Sequence, residues 1–293
     1  MESLLIVGCG DIARRALPEL QRRYRVSALV RAHDPALAAC GVELVEGDLD
    51  KPESLAPLAG RARRIAHLAP PGGTDEIDRR TRNLVTALES PRKSGAMLPQ
   101  RLVYISTSGV YGDCAGEFVD ETHPTNPQTA RAKRRLDAER TLAEWGERNR
   151  VEIVILRAPG IYASDRLPLE RLRRGTPVLR AEDDVYTNHI HADDLAAILV
   201  AALESKHARG IYNASDDSQM KMGDFLDLVA DRAGLARPPR LPFEREARLI
   251  PAAQLSFMNE SRRLVNRRMK SELGVQLRFR TVADGVPRIA QTA

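Results

Sequence analysis

The chain has 293 residues, of which 43% are hydrophobic and 29% charged, with a net charge of +5. That length suits one large domain with a lobe, or two intimate domains, and no apolar run approaches the roughly 18 residues of a membrane span. Three cysteines without paired ligand spacing argue against a disulfide framework or a structural metal, so a reduced cytoplasmic protein with no membrane partner is expected. The basic residues are interleaved with acids, and 4% aromatics leave little for base stacking, so nucleic acid is not an expected partner.

In chain order, the first residues, Met1–Val7, have neither a basic region nor a cleavage site and read as a strand. Short β-branched or apolar runs follow at Arg25–Val30, Val42–Val45, Arg64–Leu68, Leu102–Ser106 and Val151–Leu156. Between them lie segments such as Asp11–Arg22 and Ile77–Glu89, whose apolar residues recur at helical spacing. Strands alternating with helices predict βαβ units, hence an α/β, Rossmann-like, doubly wound and mostly parallel sheet. After Ala158 the rhythm changes. A Pro/Gly/Arg-rich stretch, Pro159–Pro177, precedes predicted helices at Asp193–Glu204 and Met222–Ala233, separated by an apolar run, Gly210–Ala214. Ala236–Pro242, with three prolines, reads as a surface loop. Arg262, Arg263, Arg267, Arg268 and Lys270 read as the solvated face of a helix. The expected division is a nucleotide-binding core over residues 1–160 and, over 161–293, a mixed region that adds the last strands and a smaller substrate lobe.

Leu4–Ala13 is a buried strand running into Gly-x-Gly-x-x-Ala and a helix. Gly8 permits the tight turn, Gly10 lets backbone approach a pyrophosphate, and Ala13 allows close helix–strand packing. The N–H groups of the new helix, beginning at Asp11 and Ile12, then meet the phosphates. On the second strand an acid about 20 residues on would bind the ribose 2′-hydroxyl. Arg31 stands there instead, a permanent cation suited to a 2′-phosphate, so NADP is expected ahead of NAD.

Several further segments resemble the short-chain dehydrogenase/reductase superfamily, in its extended branch of NAD(P)-dependent epimerases and dehydratases. Gly47-Asp48-Leu49 is similar to its adenine-contacting turn, and His67-Leu68-Ala69-Pro70 to the strand end on the nicotinamide-ribose side. Tyr104–Gly112 resembles the fifth-strand signature, with Ser106 beside the cofactor and Thr107 as the hydroxyl that polarises substrate. Leu156–Tyr162, His189–Asp194 and Ile211–Asp216 are similar to segments bordering the substrate cleft, and Asn266–Gly274 to the closing helix. The resemblance implies a seven-stranded sheet with a small C-terminal lobe, a small-molecule substrate and a monomer or homodimer.

Two departures qualify what the resemblance implies. The glycines follow Gly8/Gly10/Ala13 spacing, as in an atypical subgroup. The family's Tyr-x-x-x-Lys pair, which performs proton transfer, has no tyrosine in Gln128–Arg135. Anchoring on Glu139 puts Arg131 and Arg135 at the two positions; anchoring on the lysine puts Thr129 and Lys133 there. Arginine keeps its proton, and a threonine hydroxyl is too weak an acid near neutral pH. Ser108 and Gly109 stand where sugar-nucleotide dehydratases carry an acidic pair, which argues against dehydration. The sequence thus predicts an NADP-dependent oxidoreductase or epimerase-like protein with a relocated proton donor, or a dinucleotide-binding sensor without turnover. Tyr111 is a candidate donor beside Thr107; Tyr162, His189 and His191 are others, although His191–Asp193 also reads as a helix cap. Arg171, Arg173, Arg174 and Arg180 form either an anion site or a solvated face.

Overall fold

Strand β1 (Glu2–Val7) has Leu4, Leu5, Ile6 and Val7 fully buried in succession, because helices cover both faces of its sheet. In the computed structural model, which describes residues 1–89, 97–243 and 260–288, six strands join it. They are β2 (Tyr24–Val30), β3 (Glu43–Glu46), β4 (Arg64–His67), β5 (Arg101–Thr107), β6 (Glu152–Ala158) and β7 (Gly210–Asn213). The order is β3-β2-β1-β4-β5-β6-β7, all parallel. The chain builds outward from β1 to β3, then crosses back to β4 on the other side of β1. That reversal opens a crevice at the carboxyl ends of β1 and β4.

The helices are α1 (Asp11–Gln21), α2 (Arg79–Glu89), α3 (Ala130–Asn149), α4 (Ala192–Glu204), α5 (Met222–Ala233) and α6 (Arg267–Leu273). Strand side chains alternate between two apolar layers. Leu4 and Ile6 share one with Leu17 and Leu20 of α1 and Leu195 and Leu199 of α4. Leu5 and Val7 share the other with Leu84 and Leu88 of α2 and Leu142 and Trp145 of α3. Each fully buried leucine contributes roughly 1.5–3 kcal/mol, so these layers hold the strand ends of the crevice rigidly. A smaller core of Tyr162, Leu172, Val178, Leu226, Val229 and Val282 forms the C-terminal lobe.

Predicted strand ends fall within one or two residues of those observed, and three differences have local causes. Helix α2 begins at Arg79, not Ile77, because the Asp78 carboxylate accepts from the backbone N–H groups of Arg80 (3.1 Å) and Thr81 (3.4 Å). The expected loop Ala236–Pro242 contains a two-residue strand, Arg240–Leu241, parallel to Val178–Leu179. Prolines cannot donate, but the Pro239 carbonyl accepts from Val178 N–H (2.9 Å) and makes that pairing. The expected Arg262–Lys270 helix face is divided. Arg263–Leu264 pairs as a strand with Phe118–Val119, the Arg262 guanidinium is buried against the Gly112 carbonyl (2.6 Å) and Glu260 (2.8 Å), and only the rest is helix α6.

The three cysteines are free thiols. Among the described residues no helix is long and apolar enough to cross a membrane. No group of His, Cys, Asp and Glu there could hold a metal ion.

Candidate functional site

The crevice at the sheet reversal is a cleft of about 780 Å³, within the roughly 300–1,000 Å³ range of cofactor and ligand sites. Gly8, Gly10, Asp11, Ile12 and Ala13 line it at the β1–α1 turn. Gly8 has φ +94°, and a Cβ there would lie 2.4 Å from the backbone nitrogen of Ala69. The turn packs so closely because the Val7 carbonyl accepts from both Leu68 (2.7 Å) and Ala69 (2.9 Å) N–H groups. At Gly10 the opposite holds: a Cβ would meet nothing within 4 Å, leaving open space at the helix N-terminus where a phosphate suits the free N–H groups. Arg31, Asp48 and Leu49 line the β2–β3 side, and Leu68, Ala69 and Pro70 the end of β4. This shape and charge fit a dinucleotide.

The same cleft is lined by cations that motif reading passed over, Arg80 and Arg166. Arg80 is clamped to both oxygens of Asp50 (2.8 and 2.5 Å) and to the Pro70 carbonyl (3.1 Å). Arg166 donates to Asp11 (2.8 Å), while Arg15 bridges Asp11, Asp165 and Asp193, tying the segment after β6 across the start of α1. No motif carries the pairs of Arg80 with Asp50, Arg166 with Asp11, and Arg15 with Asp165 and Asp193, since each joins residues far apart in sequence.

A second cleft, of about 460 Å³, shares Ile161 and Arg166 with the first. Thr107 lines it, its hydroxyl accepting from Gly109 N–H (3.2 Å). Helix α3 connects the two. Arg131 lines the second cleft and Arg135, one turn on, lines the first. The Arg135 guanidinium donates to the Tyr104 hydroxyl (3.0 Å) and the Ile105 carbonyl (2.7 Å); burial pushes that phenol up to about 12. Arg131 is an exposed side chain on the cleft wall, where partial desolvation and the neighbouring charges of Arg135 and Arg134 lower its pKa. In the other register Thr129 also lines the second cleft, but Lys133 does not line the first. Thr129 caps α3, accepting from Ala132 N–H (3.1 Å), and Lys133 pairs with Glu76 (2.6 Å) on the surface. Glu139 is buried and accepts from the Ser106 hydroxyl (2.5 Å) and from the Arg157 guanidinium (2.7 Å).

That bond corrects the placement of Ser106, which is turned into the core beside Glu139 and lines neither cleft. Tyr111 is corrected too. The tight turn Ser108–Tyr111 folds it inward to 1% exposure, where its hydroxyl donates to Asn213 (2.8 Å) and its ring lies under Arg157. His191 accepts from Asp193 N–H (3.2 Å) through Nδ1 and caps α4. The Tyr162 hydroxyl donates to the Thr281 carbonyl (3.2 Å), and burial raises its pKa. Tyr162 and His189 line a third, smaller pocket beside the second cleft, and burial pushes the His189 imidazole down to about 4, leaving it neutral. Of the arginine group, Arg171 lines the second cleft, whereas Arg174 and Arg180 pair with Glu170 (3.0 Å) and Asp183 (2.7 Å) at the surface. Sequence reading missed Tyr186, which lines the second cleft from a two-residue strand, too short to leave a periodic signal.

Comparison with known proteins places this arrangement. A GDP-6-deoxy-D-mannose reductase of Pseudomonas aeruginosa is 27% identical over 208 residues, 64% of this chain and 66% of that protein, so the match spans just under two thirds of that relative's length. A 3-diazoavenalumate denitrifying reductase of a Streptomyces species is 27% identical across 98% of this chain and 100% of that protein. The solved structure of a putative NAD-dependent epimerase/dehydratase from Methylobacillus flagellatus superposes with a TM-score of 0.72 at 26% identity, covering 97% of this chain and 96% of that one. The NAD(P)H-binding family model matches residues 8–206, from the glycine turn past the end of α4. The chain belongs to the NAD(P)H-binding family.

Proposed function

We propose that the protein is a reductase that uses NADPH in preference to NADH and acts on a small carbonyl substrate bearing negative charge. The observation that carries this reading is the Arg131/Arg135 pair, one turn apart on α3 and divided between two adjoining clefts. Both curated relatives are named as reductases, and both names denote anionic compounds. When bound, the reduced nicotinamide supplies a hydride. Arg31 binds the 2′-phosphate, and Arg135, fixed by Tyr104 and Ile105, holds the ribose side. In the second cleft Arg131 stabilises the negative charge that develops on the substrate oxygen without surrendering its own proton. Thr107 orients that oxygen, and Tyr186 carries the exchangeable phenol proton that completes the alcohol.

Fluorescence titration with NADPH and NADH tests the cofactor half. Losing charge-assisted hydrogen bonds costs about 1.5–3 kcal/mol, so Arg31→Asp should weaken NADPH binding roughly 10- to 150-fold and NADH binding far less; equal losses would remove the preference. For the chemical half, NADPH oxidation is followed with aldehydes, ketones, keto acids and nucleotide sugars. Arg131→Gln should lower kcat/KM about 100-fold with the NADPH Kd unchanged. The absence of a tyrosine in α3 favours the sensor reading in its place if NADPH binds tightly and none of these is reduced.

A further inference from the structure

We propose that the substrate is an aromatic carboxylate, its carboxylate at Arg171 and its ring in the small pocket beside it. The inference rests on reading the second cleft as the substrate site. The small pocket has a volume of about 240 Å³ and opens into that cleft, sharing Ile161, Arg171 and Met222 with it. Below the roughly 300 Å³ at which whole drug-sized ligands are accommodated, it takes a ring and not a nucleotide. Its walls include Pro168, Phe225 and Leu226.

Its polar lining comes from Tyr162, Arg166, Arg171, Thr187 and His189. His189 is 4% exposed, neutral, and its Nδ1 has no hydrogen-bond partner. Its ring lies 4.3 Å from that of Phe225, tilted by 30°, so His189 backs Phe225 at the pocket wall, where another ring packs edge or face on the phenyl group. A saturated sugar gains less from such walls. At the mouth the charge is reversed. Arg171 lines both cavities, at their junction, and Arg131 lies further along the same cleft with the charges of Arg134 and Arg135 beside it. A planar carboxylate matches the guanidinium fork of Arg171 in two parallel hydrogen bonds.

Binding is measured on the full chain saturated with NADPH, by calorimetry, with trans-cinnamate, acetate and UDP-glucose as probes. Cinnamate should bind at least about 30-fold more tightly than acetate, as burial of a ring predicts. Phe225→Ala should weaken cinnamate about 10-fold and leave acetate and NADPH unchanged; Phe225→Leu, which keeps apolar volume, guards against loss of the fold and should weaken cinnamate less. Arg171→Gln should weaken both carboxylates. UDP-glucose binding as tightly as cinnamate, or cinnamate binding insensitive to both Phe225 variants, would overturn the inference. Because the readout is binding, Phe225-dependent cinnamate binding without NADPH oxidation by any carbonyl compound would leave the pocket standing and remove the reductase reading alone.

Discussion

The two main clefts adjoin, yet they are made in different ways. The first is made largely by backbone: a strand, a tight turn and a helix, repeated at β1, β2 and β4, with glycine where a side chain would collide. The second is made by side chains from segments distant in sequence: the β5 end, the start of α3, the stretch after β6, and residues near 187 and 261. A backbone cradle recognises what is common to all dinucleotides. Side chains from scattered segments can change independently of the sheet that carries them.

The sharpest way to break that comparison lies in the turn itself. At Gly8 a Cβ meets backbone, at positive φ, so Gly8→Ala strains both the fold and the cleft. We expect a stability loss of about 3 kcal/mol and cofactor binding at least 100-fold weaker. At Gly10 a Cβ meets only the space that a phosphate needs. Gly10→Ala should leave unfolding within about 0.5 kcal/mol and still weaken NADPH about 10-fold. Urea melts and fluorescence titrations on both variants check this. If Gly10→Ala bound NADPH normally, the cradle would not be a phosphate site.

The same contrast explains what could be read from the sequence. Gly8, Gly10, Arg31, Asp48 and Pro70, read from the sequence as one site, line one cleft in the fold, because each is tied to a strand end whose apolar period is visible locally. Ser106 and Tyr111 sit in the same strong motif, yet they face the core. The partners that turn them inward, Glu139 and Asn213, lie 33 and 102 residues away, beyond any local pattern. Sequence left the α3 register open between two anchors, and in the fold Arg135 lines the first cleft while Lys133 pairs with Glu76 at the surface. Tyr186 and Arg166 could be found only with the fold in hand.

A smaller effect separates the lobe beside the second cleft from the sheet. Burial pushes the Asp216 carboxyl up to about 7, and the nearby charges of Asp217 and Asp194 add to this. Its Oδ1 accepts from Ser218 N–H (2.9 Å), and its own N–H donates to the His189 carbonyl (2.8 Å). An acid with a folded pKa above its unfolded value near 3.8 stabilises the fold as pH falls from about 7 towards 4, and that stability is lost as pH rises through 7. His189 and His67, pushed down to about 4 and about 3, act oppositely: their stability is complete above pH 6.5 and declines below it. Asp216→Asn isolates the first effect. Between pH 8 and pH 5 the native chain should gain about 2 kcal/mol relative to the variant, read from urea melts at each pH. Identical pH profiles would mean that Asp216 is ionised in the fold throughout.

The smallest expected effect discriminates most between the two registers of α3. If the lysine of Thr129–Lys133 were the working partner of a bound nucleotide, removing its charge would cost cofactor affinity and turnover together. In the fold its ammonium instead meets Glu76 at 2.6 Å, with both side chains largely in solvent at 39% and 60% exposure. Exposed pairs of this kind contribute about 0–1 kcal/mol. Lys133→Met should therefore change stability by less than about 1 kcal/mol and leave NADPH affinity and kcat/KM within about twofold. Arg135→Met, two residues along the same helix, removes a cation held against Tyr104 and Ile105 on the wall of the cofactor cleft, and should weaken NADPH at least 10-fold. The reverse order of effects would return the site to the lysine register and separate Arg131 from the chemistry assigned to it.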